Sequence, residues 1–296
     1  MKALLIGSTG MLGQTLFKKL KENNFSVITS SRNNSDNNID FLTDGQKITE
    51  VIIKEKPEIV INAAALVNLN YCESNPGNAY IVNSRLPGLI AQACSRVNSY
   101  FVQISTDHYY SNDGKKGHKE SDKVELFNEY ARTKFAGESF TLTYYNSLVV
   151  RTNIVGFRNK ASSPTFVEWV IKSLESNDYI TGFNDFFTSS IDVESLSDIL
   201  IELIDQKVTG LINVASSDTI SKYEFIATLA TLLGKEQQVK EGTMNSSQGI
   251  KRANSLGLDM TKLQSILKHN HIPSSKEVII NIYNQYKEGA YHELQK

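Results

Sequence analysis

The sequence predicts an α/β protein: a doubly wound parallel sheet with helices on both faces, interleaved with a smaller α/β subdomain. Two observations carry this. The first 155 residues alternate short apolar runs with helical patterns, and the glycines and polar residues gather just after the apolar runs. Such alternation needs parallel strands joined by crossover helices, and ligands of such sheets sit beyond the carboxyl ends of the strands.

The elements follow in order. "ALLIG" (Ala3 to Gly7) reads as a buried strand, and "MLGQTLFKKLKENN" places Leu12, Leu16, Phe17 and Leu20 on one helical face. "FSVITSS" is a second strand, rich in residues that favour extended backbone. "NNSDNN" (Asn33 to Asn38) reads as a loop, "ITEVIIKEK" as a helix stopped before Pro57, and "EIVINAAA" as a third strand. Asn78 to Val97 reads as one long helix kinked near Pro87, "YFVQIST" as the fourth strand, Asn128 to Tyr145 as a helix, and "SLVVRT" as the fifth strand. Trp169 falls at helical spacing with Phe166, Val170 and Leu174 and is expected in the core. "GLINVAS" is expected to return as a strand to the main sheet, so residues 1–155 form one domain and 156–296 mainly a second, with segments near 190–216 returning to the first.

Composition narrows the function classes. The chain has 296 residues, 40% hydrophobic and 21% charged, with a formal net charge of -1. That balance creates no field to gather a nucleic acid polymer or a membrane surface. Cys72 and Cys94 make no disulfide framework, and Cys94, within "GLIAQAC", reads as core. The five histidines show no metal-ligand spacing, so no metal site is expected. "MKALLIGSTG" is too short and glycine-interrupted to read as a signal peptide, and no apolar run reaches membrane-spanning length, so a cytoplasmic location is expected.

Chemistry-bearing residues cluster at the strand ends. "GSTGMLG" places Gly7, Gly10 and Gly13 between a strand and a helix, with Thr9 in the turn. The first glycine permits a tight turn, the second the approach of a pyrophosphate to backbone N–H groups, and the third close helix–strand packing. This predicts a Rossmann-type dinucleotide-binding domain. The second strand ends "TSSR" with no acidic residue for a ribose 2′-hydroxyl; Arg32, beside Ser30 and Ser31, suits a 2′-phosphate, so NADPH is expected ahead of NADH. "DFL" (Asp40 to Leu42) is a candidate lining for the adenine. In "LFNEYARTKFAGE", Tyr130 and Lys134 stand four apart and share a helix face, a pair that is common without any chemistry.

With the glycine turn, "NAAA" (Asn62 to Ala65), "STD" (Ser105 to Asp107), "YARTK" and "VVRTN" in order, the chain resembles the extended short-chain dehydrogenases/reductases, and within them the dTDP-4-dehydrorhamnose reductase family. The resemblance runs on through "SSIDVESLSDIL", "GLINVASSDTISKYEF" and "RANSLGLDMTKLQ". It implies a catalytic trio of Thr106, Tyr130 and Lys134. The implied cofactor contacts are Gly7, Thr9, Gly10, Met11, Leu12, Gly13, Ser31, Arg32, Phe41, Leu42, Ala63, Ala64, Ala65 and Ser105, with Tyr130 and Lys134. The implied substrate contacts are Val67, Asp107, His108, Asn153 and Arg252, with Thr106 and Tyr130. In this reading Lys134, with the cofactor's charge, lowers the pKa of Tyr130, an unperturbed tyrosine titrating near about 10.

The resemblance implies an NADPH-dependent reductase of a nucleotide-linked 4-keto-6-deoxy sugar, working in surface-polysaccharide or deoxysugar biosynthesis as a monomer or homodimer. The glycine-broken Ile180 to Val193 is the expected substrate loop. His108 stands where those reductases carry tyrosine, either bonding the sugar or packing beside Tyr109 and Tyr110; Ile154 replaces their tryptophan, which favours a different nucleotide sugar from that of the rhamnose enzyme. The alternatives are a nucleotide-sugar epimerase or epimerase-reductase of the same superfamily, and a non-catalytic NADP-binding regulatory subunit.

Overall fold

In the computed structural model, which describes residues 1–160, 163–244 and 249–290, the chain packs into two compact units. The first comprises Met1–Tyr109, Glu125–Arg151 and Ser197–Ile212; the second comprises Tyr110–Val124, Thr152–Leu196 and the chain from Asn213 onward.

The first unit carries the strands β1 (Lys2–Ile6), β2 (Ser26–Ser31), β3 (Asn37–Asn38), β4 (Ile59–Asn62), β5 (Tyr100–Ile104) and β6 (Ser147–Arg151). With the strand Gly210–Asn213 they form a seven-stranded sheet in which that strand is followed by β6, β5, β4, β1, β2 and β3. β1 pairs in parallel with both β2 and β4. Strand order therefore reverses at β1, the position beyond whose carboxyl end ligands of such sheets sit. The helices are α1 (Met11–Glu22), α2 (Lys47–Glu55), α3 (Leu69–Ser74), α4 (Pro76–Tyr80), α5 (Leu86–Val97) and α6 (Glu129–Thr141). β4, β5 and β6 are buried along their whole length, which explains why they read as unbroken apolar runs. Ile48 and Ile52, one turn apart on α2, pack with Leu4, Val60, Leu86, Ile90 and Phe101 in one core. Each such side chain contributes about 1.5–3 kcal/mol on burial. Cys94 lies in this core, where burial drives its thiol pKa far up.

Two elements depart from the sequence reading. Asn37–Asn38 is a short strand beside Ser30 and Ser31 rather than loop. Asp36 draws it in, accepting hydrogen bonds from the Thr29 N–H and hydroxyl, each at 2.8 Å. The expected long helix is interrupted before Pro87 by a π turn, Ile81–Arg85, between α4 and α5. A proline supplies no N–H to the helical ladder, and a widened turn absorbs the mismatch.

In the second unit, three capping boxes start helices. Thr165 with Glu168, Ser221 with Glu224 and Ser274 with Glu277 open Phe166–Glu175, Lys222–Leu232 and Ser275–Lys287. Their inner faces bring Val167, Val170, Leu174, Phe225, Leu229, Val278 and Ile282 into one core. Trp169 is not in it. The helix turns Val167, Val170, Ile171 and Leu174 inward, which leaves Trp169 off that face and 45% exposed. Ile180 to Val193 is not a simple loop either: it holds the short strands Ile180–Phe183, Phe187–Thr188 and Ile191–Asp192, each paired with a partner distant in sequence.

Candidate active site

The turn after β1 is made by backbone. Gly7 has φ +84°, and a Cβ there would lie 2.7 Å from the Ala64 nitrogen, so "NAAA" after β4 passes directly over it. A Cβ on Gly13 would lie 2.1 Å from the Gly7 carbonyl oxygen. α1 begins at Gly10 with no side-chain cap and no acidic residue in its first turn. Its first N–H groups and the positive end of its dipole thus face out of the turn. Ser8 adds a buried hydroxyl with no hydrogen-bond partner. The turn is suited to hold an anionic group.

The second half of the site is made by side chains. Asn128 caps α6, accepting a hydrogen bond from the Ala131 N–H at 2.9 Å. The helix then lies so close to the π turn that a Cβ on Gly137 would stand 2.1 Å from the Asn83 carbonyl oxygen. Asn83 also donates to the Leu66 carbonyl at 2.9 Å and accepts from the Leu66 N–H at 2.8 Å, tying the segment after β4 to the same place. From α6, three side chains spaced one turn apart reach the end of β5. Tyr130 stands beside Thr106, Lys134 donates to the Ile104 carbonyl at 2.7 Å, and Glu138 accepts from the Ser105 hydroxyl at 2.6 Å. Thr106, Lys134 and Glu138 are buried, while Tyr130 keeps partial exposure.

The electrostatics revise one expectation. Tyr130 is not lowered in pKa: burial raises it well above the usual tyrosine value, Asp107 adds to this, and Thr106 opposes it. The Lys134 ammonium is directed to the Ile104 carbonyl, and burial lowers its pKa to about 8, with Glu138 pulling the other way. In the protein by itself desolvation is the largest influence, so Tyr130 holds its proton throughout the physiological range.

Glu138 was not singled out by sequence, although it continues the Tyr130–Lys134 face by one more turn. It accepts from Tyr109 at 3.0 Å and takes a bidentate approach from Arg151, with Nη2 at 2.8 Å and Nε at 3.1 Å. The Arg151 guanidinium also lies over the Tyr109 ring, 4.9 Å from its centroid. Breaking a buried pair of this kind costs about 3–5 kcal/mol.

A family profile described as the RmlD substrate binding domain matches residues 1–287. The chain belongs to the RmlD substrate binding domain family. It is 28% identical to the dTDP-4-dehydrorhamnose reductase of Escherichia coli, over 77% of this chain and 76% of that protein. It is 26% identical to the probable low-salt glycan biosynthesis reductase Agl14 of Haloferax volcanii, over 82% of this chain and 84% of that one. Among solved structures, a dTDP-4-dehydrorhamnose reductase from Yersinia enterocolitica superposes with a TM-score of 0.85 at 26% identity, covering 98% of this chain and 99% of that one. The similarity supports an oxidoreductase of the nucleotide-sugar kind.

Within this RmlD-family chain the remaining candidate residues divide. Arg32 is exposed just after β2 and makes no hydrogen bond or ion pair among the described residues. Ser31 is committed locally, donating its hydroxyl proton to the Asn33 carbonyl at 2.6 Å. Thr9 is exposed, Met11 and Leu42 are half-buried, and Leu12 is buried. Phe41 packs in the core with Leu86 and Ile48. Ala63 to Ala65 are half-buried after β4, and Val67 beyond them is exposed. Asp107 is buried behind Thr106, and the His108 ring stands edge-on to Tyr130 at 5.8 Å. Asn153 and Arg252 belong to the second unit, Asn153 accepting from the Ser190 hydroxyl at 2.8 Å and Arg252 exposed. No helix among the described residues is long and apolar enough to cross a membrane.

Proposed function

We propose that this protein is an NADPH-dependent reductase of a nucleotide-linked 4-keto-6-deoxy sugar. The observation that carries the reading is Tyr130 brought beside Thr106, with Lys134 buried one turn behind it on α6. The residues of the glycine turn fit a dinucleotide: an uncapped helix N-terminus, an orphaned Ser8 hydroxyl and a backbone that leaves no room for a Cβ at Gly7 or Gly13. Arg32 reads a 2′-phosphate. NADPH, when bound, supplies the hydride that reaches the keto carbon.

The chain's own residues handle the proton. Tyr130 gives its phenolic proton to the keto oxygen, which becomes the product hydroxyl. Thr106 holds the two oxygens in line by hydrogen bonding. The Lys134 ammonium, one turn from Tyr130, stabilises the phenolate that remains until a solvent proton replaces the one given up. Val67, Asp107 and His108 on the first unit, and Asn153 and Arg252 on the second, are the proposed sugar-nucleotide contacts.

NADPH oxidation measured across dTDP-, UDP-, GDP- and CDP-linked 4-keto-6-deoxy sugars tests this. Turnover with one of them is expected. No turnover on any would overturn the reading, and NAD that stays bound through purification would point to an epimerase.

A further inference from the structure

The three contacts between α6 and the end of β5 form a ladder. Its rungs are Tyr130 with Thr106, Lys134 with the Ile104 carbonyl, and Glu138 with the Ser105 hydroxyl. The first two rungs hold the proposed proton donor and its cation. The third touches no reacting atom in the proposed reaction, yet it is the most heavily bonded. Its carboxylate receives Ser105, Tyr109 and Arg151, which come from the end of β5, the segment after it and the end of β6. Four donor groups on one carboxylate, 2% exposed, are more than helix packing needs.

We infer that Glu138 is a positioning residue: its carboxylate, held by Arg151, locks Ser105 and hence Thr106 against α6 and stands one helical turn from Lys134 on the same buried face. The inference rests on the reading of Thr106, Tyr130 and Lys134 as the catalytic trio.

Charge gives the second support. The titratable and charged groups around these rungs are Tyr130 and Glu138 on α6, Asp107, His108 and Tyr109 after β5, Arg151 on β6 and Cys72 on α3. Burial brings Lys134 down to about 8, and Glu138 is the charge that draws it back up. Without that carboxylate the lysine would lose its proton at lower pH and Tyr130 would lose its counter-charge under working conditions. Arg151 holds the carboxylate through Nη2 and Nε, and Tyr109, with its own pKa pushed up by burial and by Glu138, donates to it as well.

The test reads Lys134 directly. In protein carrying 13C-labelled lysine, the Lys134 ε-carbon resonance is assigned by its absence in Lys134→Met and titrated by NMR. Glu138→Gln is expected to move its midpoint down by on the order of one pH unit. The basic limb of kcat against pH should move with it, lowering kcat roughly fivefold at about pH 8 while KM for the keto sugar stays within about threefold. Glu138→Asp, which keeps the charge, should restore the limb. If Glu138→Gln does not fold, Glu138→Gln with Arg151→Gln removes charges of opposite sign together and should show a downward midpoint of smaller size. An unmoved midpoint in either folded variant overturns the inference. A moved midpoint in a protein that reduces no keto sugar would instead sink the functional reading and leave Glu138's hold on Lys134 standing.

Discussion

The glycine turn and the α6 ladder lie at the same edge of one sheet and are built from opposite materials. The turn works through what is missing: no Cβ at Gly7 or Gly13, no side-chain cap on α1, no acidic residue in its first turn. The ladder works through what is present: buried polar side chains, each consuming a partner supplied by another element. A backbone site tolerates almost any side chain nearby but no added atom. A side-chain site tolerates small shifts but not the loss of a partner.

That difference can be broken or sharpened by substitution. The largest expected effect is at the first rung. Tyr130→Phe should cost roughly two to four orders of magnitude in turnover while NADPH still binds, measured by NADPH oxidation and fluorescence titration. Retained turnover would remove the trio from the mechanism. At the turn, Gly13→Ala places a methyl group 2.1 Å from the Gly7 carbonyl oxygen. Overpacking of that kind costs about 1–3 kcal/mol, so chemical denaturation should show lost stability and titration at least about tenfold weaker NADPH binding. Unchanged binding would mean that the turn does not cradle the phosphates.

Arg32→Asp touches neither backbone nor ladder and should act on cofactor choice alone. A charge-assisted contact is worth about 1.5–3 kcal/mol, so the preference for NADPH over NADH should fall by roughly ten- to a hundredfold in kcat/KM. An unchanged ratio would reassign the 2′-phosphate to another group. The smallest effect is that of pH. The Lys134 ammonium is lost as pH rises through about 8, so kcat should be level near neutrality and fall about tenfold per unit beyond that point. Stability moves the other way: the folded lysine gives up its proton more readily than the unfolded one, so the unfolded chain binds more protons between about 8 and its ordinary value of 10.5, and this group's contribution rises with pH across that window. A basic limb well above that pH would mean that Lys134 is not the group being read.

The same contrast explains what could be read in advance. Glycine spacing reports backbone geometry directly, so Gly7, Gly10 and Gly13 pointed to the turn, and the apolar runs to the parallel sheet. Tyr130 and Lys134 were visible because one helix spaces them by four. Glu138 lies on that same face but takes its meaning from Ser105, Tyr109 and Arg151, which only the folded sheet brings to it. Trp169 was misplaced because spacing with Phe166, Val170 and Leu174 does not say which neighbouring stripe of a helix the core will take; Val167 and Ile171 took it. The upward push on Tyr130 in the protein by itself was not legible, since residue type reveals a cation four positions away but not the degree of desolvation.

Gly137 against the Asn83 carbonyl has a consequence for tolerance to change. The separation between α6 and its neighbour is set by main chain meeting main chain, like a machined shoulder on a shaft, and not by the bulk of interlocking side chains. Residues on the outer side of the helix, Arg132 and Ser139, are exposed and take no part in setting that gap. They can be exchanged, tagged or made to carry a spectroscopic label without altering the reach from Tyr130 to Thr106.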